Sequence, residues 1–171
     1  MNGLIAYLLH NFTLTFLVLG LFAAWIWIFR TPYAINRHLV IEALIRWFIF
    51  FSIGVSYLYN GIAHTLFAEY SAKFIGWPNS PFQLEVGFAS FGFAAIGFIA
   101  FRGSWQTRLC AILGPSFFLW GAAGGHIYQM LAANDFAPGN AGVVFYTDIF
   151  LPIIGGVLLY MSRPSATRIN E

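Results

Sequence analysis

His64 in the stretch NGIAHTLF and His126 in GGHIYQM stand at matching places, each near the end of a long apolar segment. Glu85 opens the apolar segment that follows the first histidine, and Asp148 lies early in the one that follows the second. Two imidazoles and two carboxylates can move a proton, hold the polar head of an organic ligand, or coordinate a divalent zinc, iron or manganese ion. An ionisable group in hydrocarbon costs free energy unless it faces the bundle interior and finds a partner, so four at one depth mark a candidate site. Asn60, one helical turn before His64, and Tyr128, just beyond His126, join them as candidate ligand-binding residues.

The spacings are nearly equal, about 21 residues from His64 to Glu85 and about 22 from His126 to Asp148, which suggests two parallel helical hairpins related as an internal repeat. Tyr57, Asn60, Gly61 and His64 share one helix face, and Glu85, Ala89 and Gly92 share another. His64 and Glu85 are therefore expected to pair directly across the first hairpin. Gly121, Gly124 and Gly125 would let helices approach closely beside His126. Pro152 cannot donate to the carbonyl of Asp148, which frees an acceptor at the candidate site. The bland alternative is that these residues only pack and hydrogen-bond the bundle together. No pair of histidines one turn apart supports a metal site, and no nucleotide loop, nucleophile elbow or zinc-protease motif names a reaction. Whether the chain is an enzyme is left open.

The elements that must position these groups follow from composition. With 60% hydrophobic, 20% aromatic and only 8% charged residues, the chain cannot cover a soluble globule with polar surface. An all-α integral membrane bundle is expected, with five transmembrane helices at about 4–29, 43–67, 84–101, 109–133 and 143–161 forming one domain over 1–171. The first segment reads as a retained anchor, since it lacks the basic start and cleavage site of a signal peptide. The net charge of +2 and the lack of a basic run exclude nucleic acid as a partner. The single Cys110 excludes an intrachain disulfide and a cysteine metal cluster.

Of the eight Lys and Arg residues, Arg30, Arg37, Arg46, Arg102, Arg108, Arg163 and Arg168 fall at one set of span ends and only Lys73 at the other. The positive-inside rule then puts the N-terminus outside and the tail from 163 to 171 in the cytoplasm. His64, Glu85, His126 and Asp148 form an outer layer in that topology, with His10 and Asn11 at similar depth. The connector YSAKFIGWPNSPF, with Tyr70, Phe74, Trp77 and Phe82 between Pro and Gly turns, reads as an interfacial anchor or as a lid over a pocket.

The run from GVSYLYNGIAHTLF through GWPNSPFQLEVGF, followed by the hairpin with GGHIYQM and YTDIFLP, resembles the DoxX-like group of small bacterial membrane proteins. Gly61, Ala72, Gly76, Pro78, Glu85 and Gly92 carry the likeness, which extends from Ala43 to Met161; a family of uncharacterised proteins with the same GWPNSPFQ and glutamate signature is more similar still. The resemblance implies a four-helix core in the bacterial inner membrane and a link to quinone-coupled thiosulfate oxidation or envelope redox defence. The additional first helix, His64, His126 and Asp148 depart from the group's pattern.

Three functions are expected to compete. The polar layer lines a pocket for a quinone- or lipid-like ligand in an accessory protein of an envelope redox system. Alternatively His64, Glu85, His126 and Asp148 hold a divalent metal, or the chain is a noncatalytic subunit packed against a membrane-protein partner or a second copy of itself. Membrane lipids are partners in every case.

Overall fold

The computed structural model describes residues 2–164, and over these the chain is helical with no strand. Five helices are long and apolar enough to cross a membrane: Phe12–Arg30, Arg37–Leu66, Phe82–Ala100, Trp105–Ala132 and Pro138–Met161. The chain is a multi-pass membrane protein of the all-α class. Arg168 and most of the tail lie outside the described residues.

The first segment is two helices, α1 (Asn2–His10) and α2 (Phe12–Arg30), where one unbroken helix was expected. At the junction Asn11 leaves the helical region, its side chain donates to the Tyr7 carbonyl at 2.9 Å, and Thr15 Oγ1 donates to the Leu8 carbonyl at 2.9 Å. Short polar side chains compete with the helix for its own carbonyls in this way.

The second span is α3 (Arg37–Phe48), a π-helical stretch (Ile49–Val55) and α4 (Ser56–Leu66). It begins six residues earlier than the expected start at 43, for two reasons. Asn36 caps it by accepting from the Leu39 amide at 2.9 Å. Glu42 is held by both terminal nitrogens of Arg108 at 2.7 Å each and by Arg46 at 3.2 Å, so an acidic residue that would resist burial alone is neutralised. After α5 (Ala68–Ile75), Gly76 turns the chain at φ 92, a left-handed conformation suited to glycine. The third and fourth spans are α6 (Phe82–Ala100) and α7 (Trp105–Ala132), and α7 is capped by Ser104. A short α8 (Pro138–Ala141) leads into α9 (Val143–Met161).

The second span is the axis of the bundle and touches all four others. Ile45, Phe48, Ile49, Ile53 and Tyr57 pack with Ala94, Ala100, Ala111, Ile112, Leu151 and Leu159. Arg46 lies over Trp27 at 5.4 Å, Arg163 over Trp105 at 5.8 Å, and Arg108 on Glu42, so the arginines gather at one end. The end opposite them is called the far end below.

The second and third spans cross closely at glycine pairs. A Cβ on Gly97 would meet the Gly54 amide nitrogen at 2.6 Å, and one on Gly61 the Gly87 carbonyl at 3.1 Å. The small-residue strip of α6 is thus Gln83, Gly87, Ser90, Ala94 and Gly97, all buried. Glu85, Ala89 and Gly92, expected to form that strip, are exposed. Packing is decided by where two backbones can approach, and Gly87 with Gly97 supplies that face.

Candidate functional site

A cavity of about 990 Å³ opens between all five spans toward the far end. The second span supplies Ser52, Ser56, Tyr57, Asn60 and His64; α7 supplies His126 and the glycines 121 and 125; α9 supplies Asp148; α2 supplies Phe12 and Thr13. The connector after the second span folds over this space, since Tyr70, Ser71, Phe74, Ile75 and Trp77 all line it. The wall is mainly apolar, and its polar groups concentrate at the far end.

His126 is buried and faces two partners. Its Nδ1 lies 2.7 Å from Asn140 Oδ1, and its Nε2 lies 3.6 Å from Asp148 Oδ2. Asn140 has no exposed surface and its orientation is fixed by its neighbours: Nδ2 donates to the carbonyls of Asp135 at 2.8 Å and His126 at 3.3 Å, while Oδ1 also accepts from Trp77 Nε1 at 3.0 Å. Turning the amide over would set its NH₂ against the Trp77 N–H and its oxygen against two carbonyls. Asn140 Oδ1 is therefore an acceptor and His126 Nδ1 a donor. The Trp77 ring leans on His126 at 5.3 Å, so one amide ties the connector, α7 and α8 together.

His64 Nδ1 hydrogen-bonds Gln83 Oε1, and Asn60 Nδ2 donates to Ser90 Oγ at 2.9 Å. Deeper in the cavity Tyr57 OH donates to the Pro115 carbonyl at 3.4 Å. At the rim His10 Nε2 meets Tyr70 OH and stacks on Phe74 at 4.6 Å. Ser52, in the π-helical stretch, has a buried hydroxyl with no partner among the described residues. A π-helical turn shifts the hydrogen-bond ladder by one residue and commonly marks a functional segment.

Of the six residues expected at the site, His64, His126, Asp148 and Asn60 line the cavity, and Glu85 and Tyr128 do not. Glu85 is exposed on the outer face of α6, and Gln83, two residues earlier, takes His64 instead. A neutral amide offers the same acceptor without a charge to bury. Tyr128 is 65% exposed on the outer face of α7, since two residues along a helix reverse the direction set by His126. The four-residue metal set is likewise corrected: among the described residues no three of His, Cys, Asp and Glu come together as metal ligands. Gly121 and Gly124, expected to give close packing, have nothing within 4 Å of a built Cβ, and Gly121 instead leaves room in the cavity. Each imidazole is tied through Nδ1 to a carboxamide oxygen, and only His126 also faces a carboxylate.

Gln83 and Asn140 are the residues that sequence reasoning missed. Gln83 carried a signal, since it heads the spacing of Gly87, Ser90, Ala94 and Gly97. Asn140 lies in a four-residue helix whose length gives no periodicity to read.

A family model matches residues 10–168, which takes in all five spans. The chain belongs to this family, a family of unknown function designated DUF6790. No curated protein and no solved structure matches it. Membership thus carries no activity with it, and the cavity is the basis for a functional reading of this DUF6790 chain.

Proposed function

We propose that the protein binds a small amphipathic molecule, quinone- or lipid-like, within the membrane. One observation carries this reading: an apolar cavity of about 990 Å³ whose polar side chains converge at one end. That volume is at the upper end of the roughly 300–1,000 Å³ of ligand sites, which are typically apolar with a few placed polar groups. His64 and Ser52 are 12 residues apart on one span, so a tail reaching from the first to the second extends about 18 Å. The head would sit among His64, Asn60, His126 and Asp148, with Trp77 and Phe74 above it.

The arginines suggest that the far end faces outward in a bacterial inner membrane, with the N-terminus on that side and the C-terminus in the cytoplasm. The resemblance to DoxX-like proteins supports an accessory role in an envelope redox system. The test is mass spectrometry of apolar molecules that co-purify with the chain from native membranes. Gly121→Phe, which projects a ring into the cavity, should remove the bound molecule; Gly92→Phe, on an exposed face with nothing within 4 Å of its Cβ, should not. A chain that carries no such molecule, or that keeps it unchanged in Gly121→Phe, overturns the reading and leaves a noncatalytic packing subunit.

A further inference from the structure

The hydrogen-bond inventory of the cavity wall is lopsided. Most donors that reach it are committed to protein acceptors: Trp77 Nε1 to Asn140, Tyr57 OH to the Pro115 carbonyl, Ser71 Oγ to the Ala63 carbonyl at 2.9 Å, and one N–H of Asn60 to Ser90. The acceptors at the far end are not. With Gln83 Oε1 accepting from His64 Nδ1, the neutral ring has its lone pair on Nε2, which has no partner among the described residues.

Asn140 imposes the same tautomer on His126, whose Nε2 faces Asp148 Oδ2. If that pair holds no mobile proton, both members are acceptors. If it holds one, on Nε2 or on the Asp148 oxygen that faces it, the proton lies between them. In each case the other oxygen of Asp148 is an acceptor, and Asp148 has no hydrogen bond to any other described residue. The uncommitted donors are the second N–H of Asn60 and the hydroxyls of Ser52, Ser56 and Tyr59; the two serines lie about 18 and 12 Å deeper than His64, at the level of a tail, and Tyr59 packs its ring on Phe12 of α2.

We infer that this site selects ligands whose head group donates hydrogen bonds, a phenol, hydroquinone or alcohol on an apolar tail, over those whose head only accepts, such as a quinone or an ether. This deepens the proposed function and rests on it. A ligand hydroxyl would donate to His64 Nε2 or Asp148; a carbonyl or ether oxygen at the same place would face lone pairs and lose the hydrogen bonds it had outside the site.

Two probes with one tail separate the ideas. Binding of 4-nonylphenol and of its O-methyl ether, 4-nonylanisole, is measured by calorimetry on the full chain in nanodiscs, with empty nanodiscs as background. The phenol should bind at least about tenfold more tightly, the worth of one well-placed hydrogen bond. Gln83→Met keeps the side-chain length, removes the acceptor and frees His64 to carry its proton on Nε2; preference for the phenol should then fall to about threefold or less, because the phenol loses an acceptor and the ether gains a donor. Nitrogen-15 spectra of labelled histidine should show the Nδ1–H form for His64 in the native chain and its loss in Gln83→Met. Equal binding of both probes, or tighter binding of the ether, overturns the head-group inference and leaves the pocket standing. Binding of neither above background overturns the pocket itself. An Nε2–H tautomer at His64 in the native chain also overturns the inference.

Discussion

An imidazole between helices needs a partner that matches its tautomer, and both cavity histidines take a carboxamide oxygen on Nδ1. The pairing expected from charge, His64 with Glu85, is replaced by His64 with Gln83. This exchange has a measurable signature. His64→Leu should cost about 1–3 kcal/mol in the detergent-solubilised bundle by leaving Gln83 without its partner. A double-mutant cycle of His64→Leu with Gln83→Met should show coupling of about 0.6 kcal/mol, the average for hydrogen bonds between membrane helices, and at most about 1.7 kcal/mol. The same cycle with Glu85→Gln should be additive, because Glu85 is exposed on the opposite side of its helix. Coupling to Glu85 of comparable size would mean that the two histidine partners have been exchanged. His64, His126, Asp148 and Asn60 were legible in the sequence because polar groups stand out against an apolar run. Glu85 was misread because charge draws attention, whereas the buried face of α6 is set by the small residues Gly87, Ser90, Ala94 and Gly97 that let the backbones meet.

Elements convert these residues into a site through two devices that periodicity does not reveal. One is the π-helical stretch Ile49–Val55, which ends just before Tyr57, Asn60 and His64. The π-turn takes up one extra residue, so deleting Phe51 should restore α-helical bonding and leave the residues beyond it facing as they do, whereas an alanine inserted after Ser56, inside α4, would swing everything beyond it through about 100°. His64 would leave the cavity wall, and the expected result is loss of ligand with helix content by circular dichroism unchanged. Retention of ligand after the insertion, or its loss after the Phe51 deletion, would show that the π-turn does not set the register. The other device is the clasp between the two far-end connectors, where α5 meets α8. A Cβ on Gly139 would meet the Phe74 carbonyl at 2.7 Å, and one on Gly76 the Asp135 carboxylate at 2.6 Å in a left-handed backbone. Gly76→Ala is therefore expected to destabilise the bundle by about 1–2 kcal/mol from the backbone alone and to speed proteolysis in the connectors. Proteolysis at the native rate would mean that the clasp does not depend on this turn. The five spans themselves were legible from length and hydropathy. The clasp was not, because it depends on contacts between loops remote in sequence.

At the scale of the whole molecule the bundle is polarised, with paired arginines at one end and a lidded cavity toward the other. At the basic end the bidentate Arg108–Glu42 pair joins the second and fourth spans while Arg46 shares the same carboxylate. Removing one partner leaves a largely buried charge, so Glu42→Leu alone should cost about 3 kcal/mol, and Glu42→Leu with Arg108→Met should recover most of it. By the positive-inside rule the arginines predict that their end of the bundle faces the cytoplasm. Impermeant thiol labelling in intact cells tests it, in a Cys110→Ala background because Cys110 is itself exposed. Asn79→Cys and Phe136→Cys lie in the two far-end connectors, and Gln106→Cys lies in the first turn of α7 beside the arginines; all three positions are exposed in the bundle. The two connector positions should label from outside and Gln106→Cys only after permeabilisation. Asn140 is unsuitable for this purpose although it lies in the same connector, because it has no exposed surface and its loss would release His126. The reverse labelling pattern would place the lid and both cavity histidines on the cytoplasmic side, and a ligand drawn from the outer leaflet would then have no route to them.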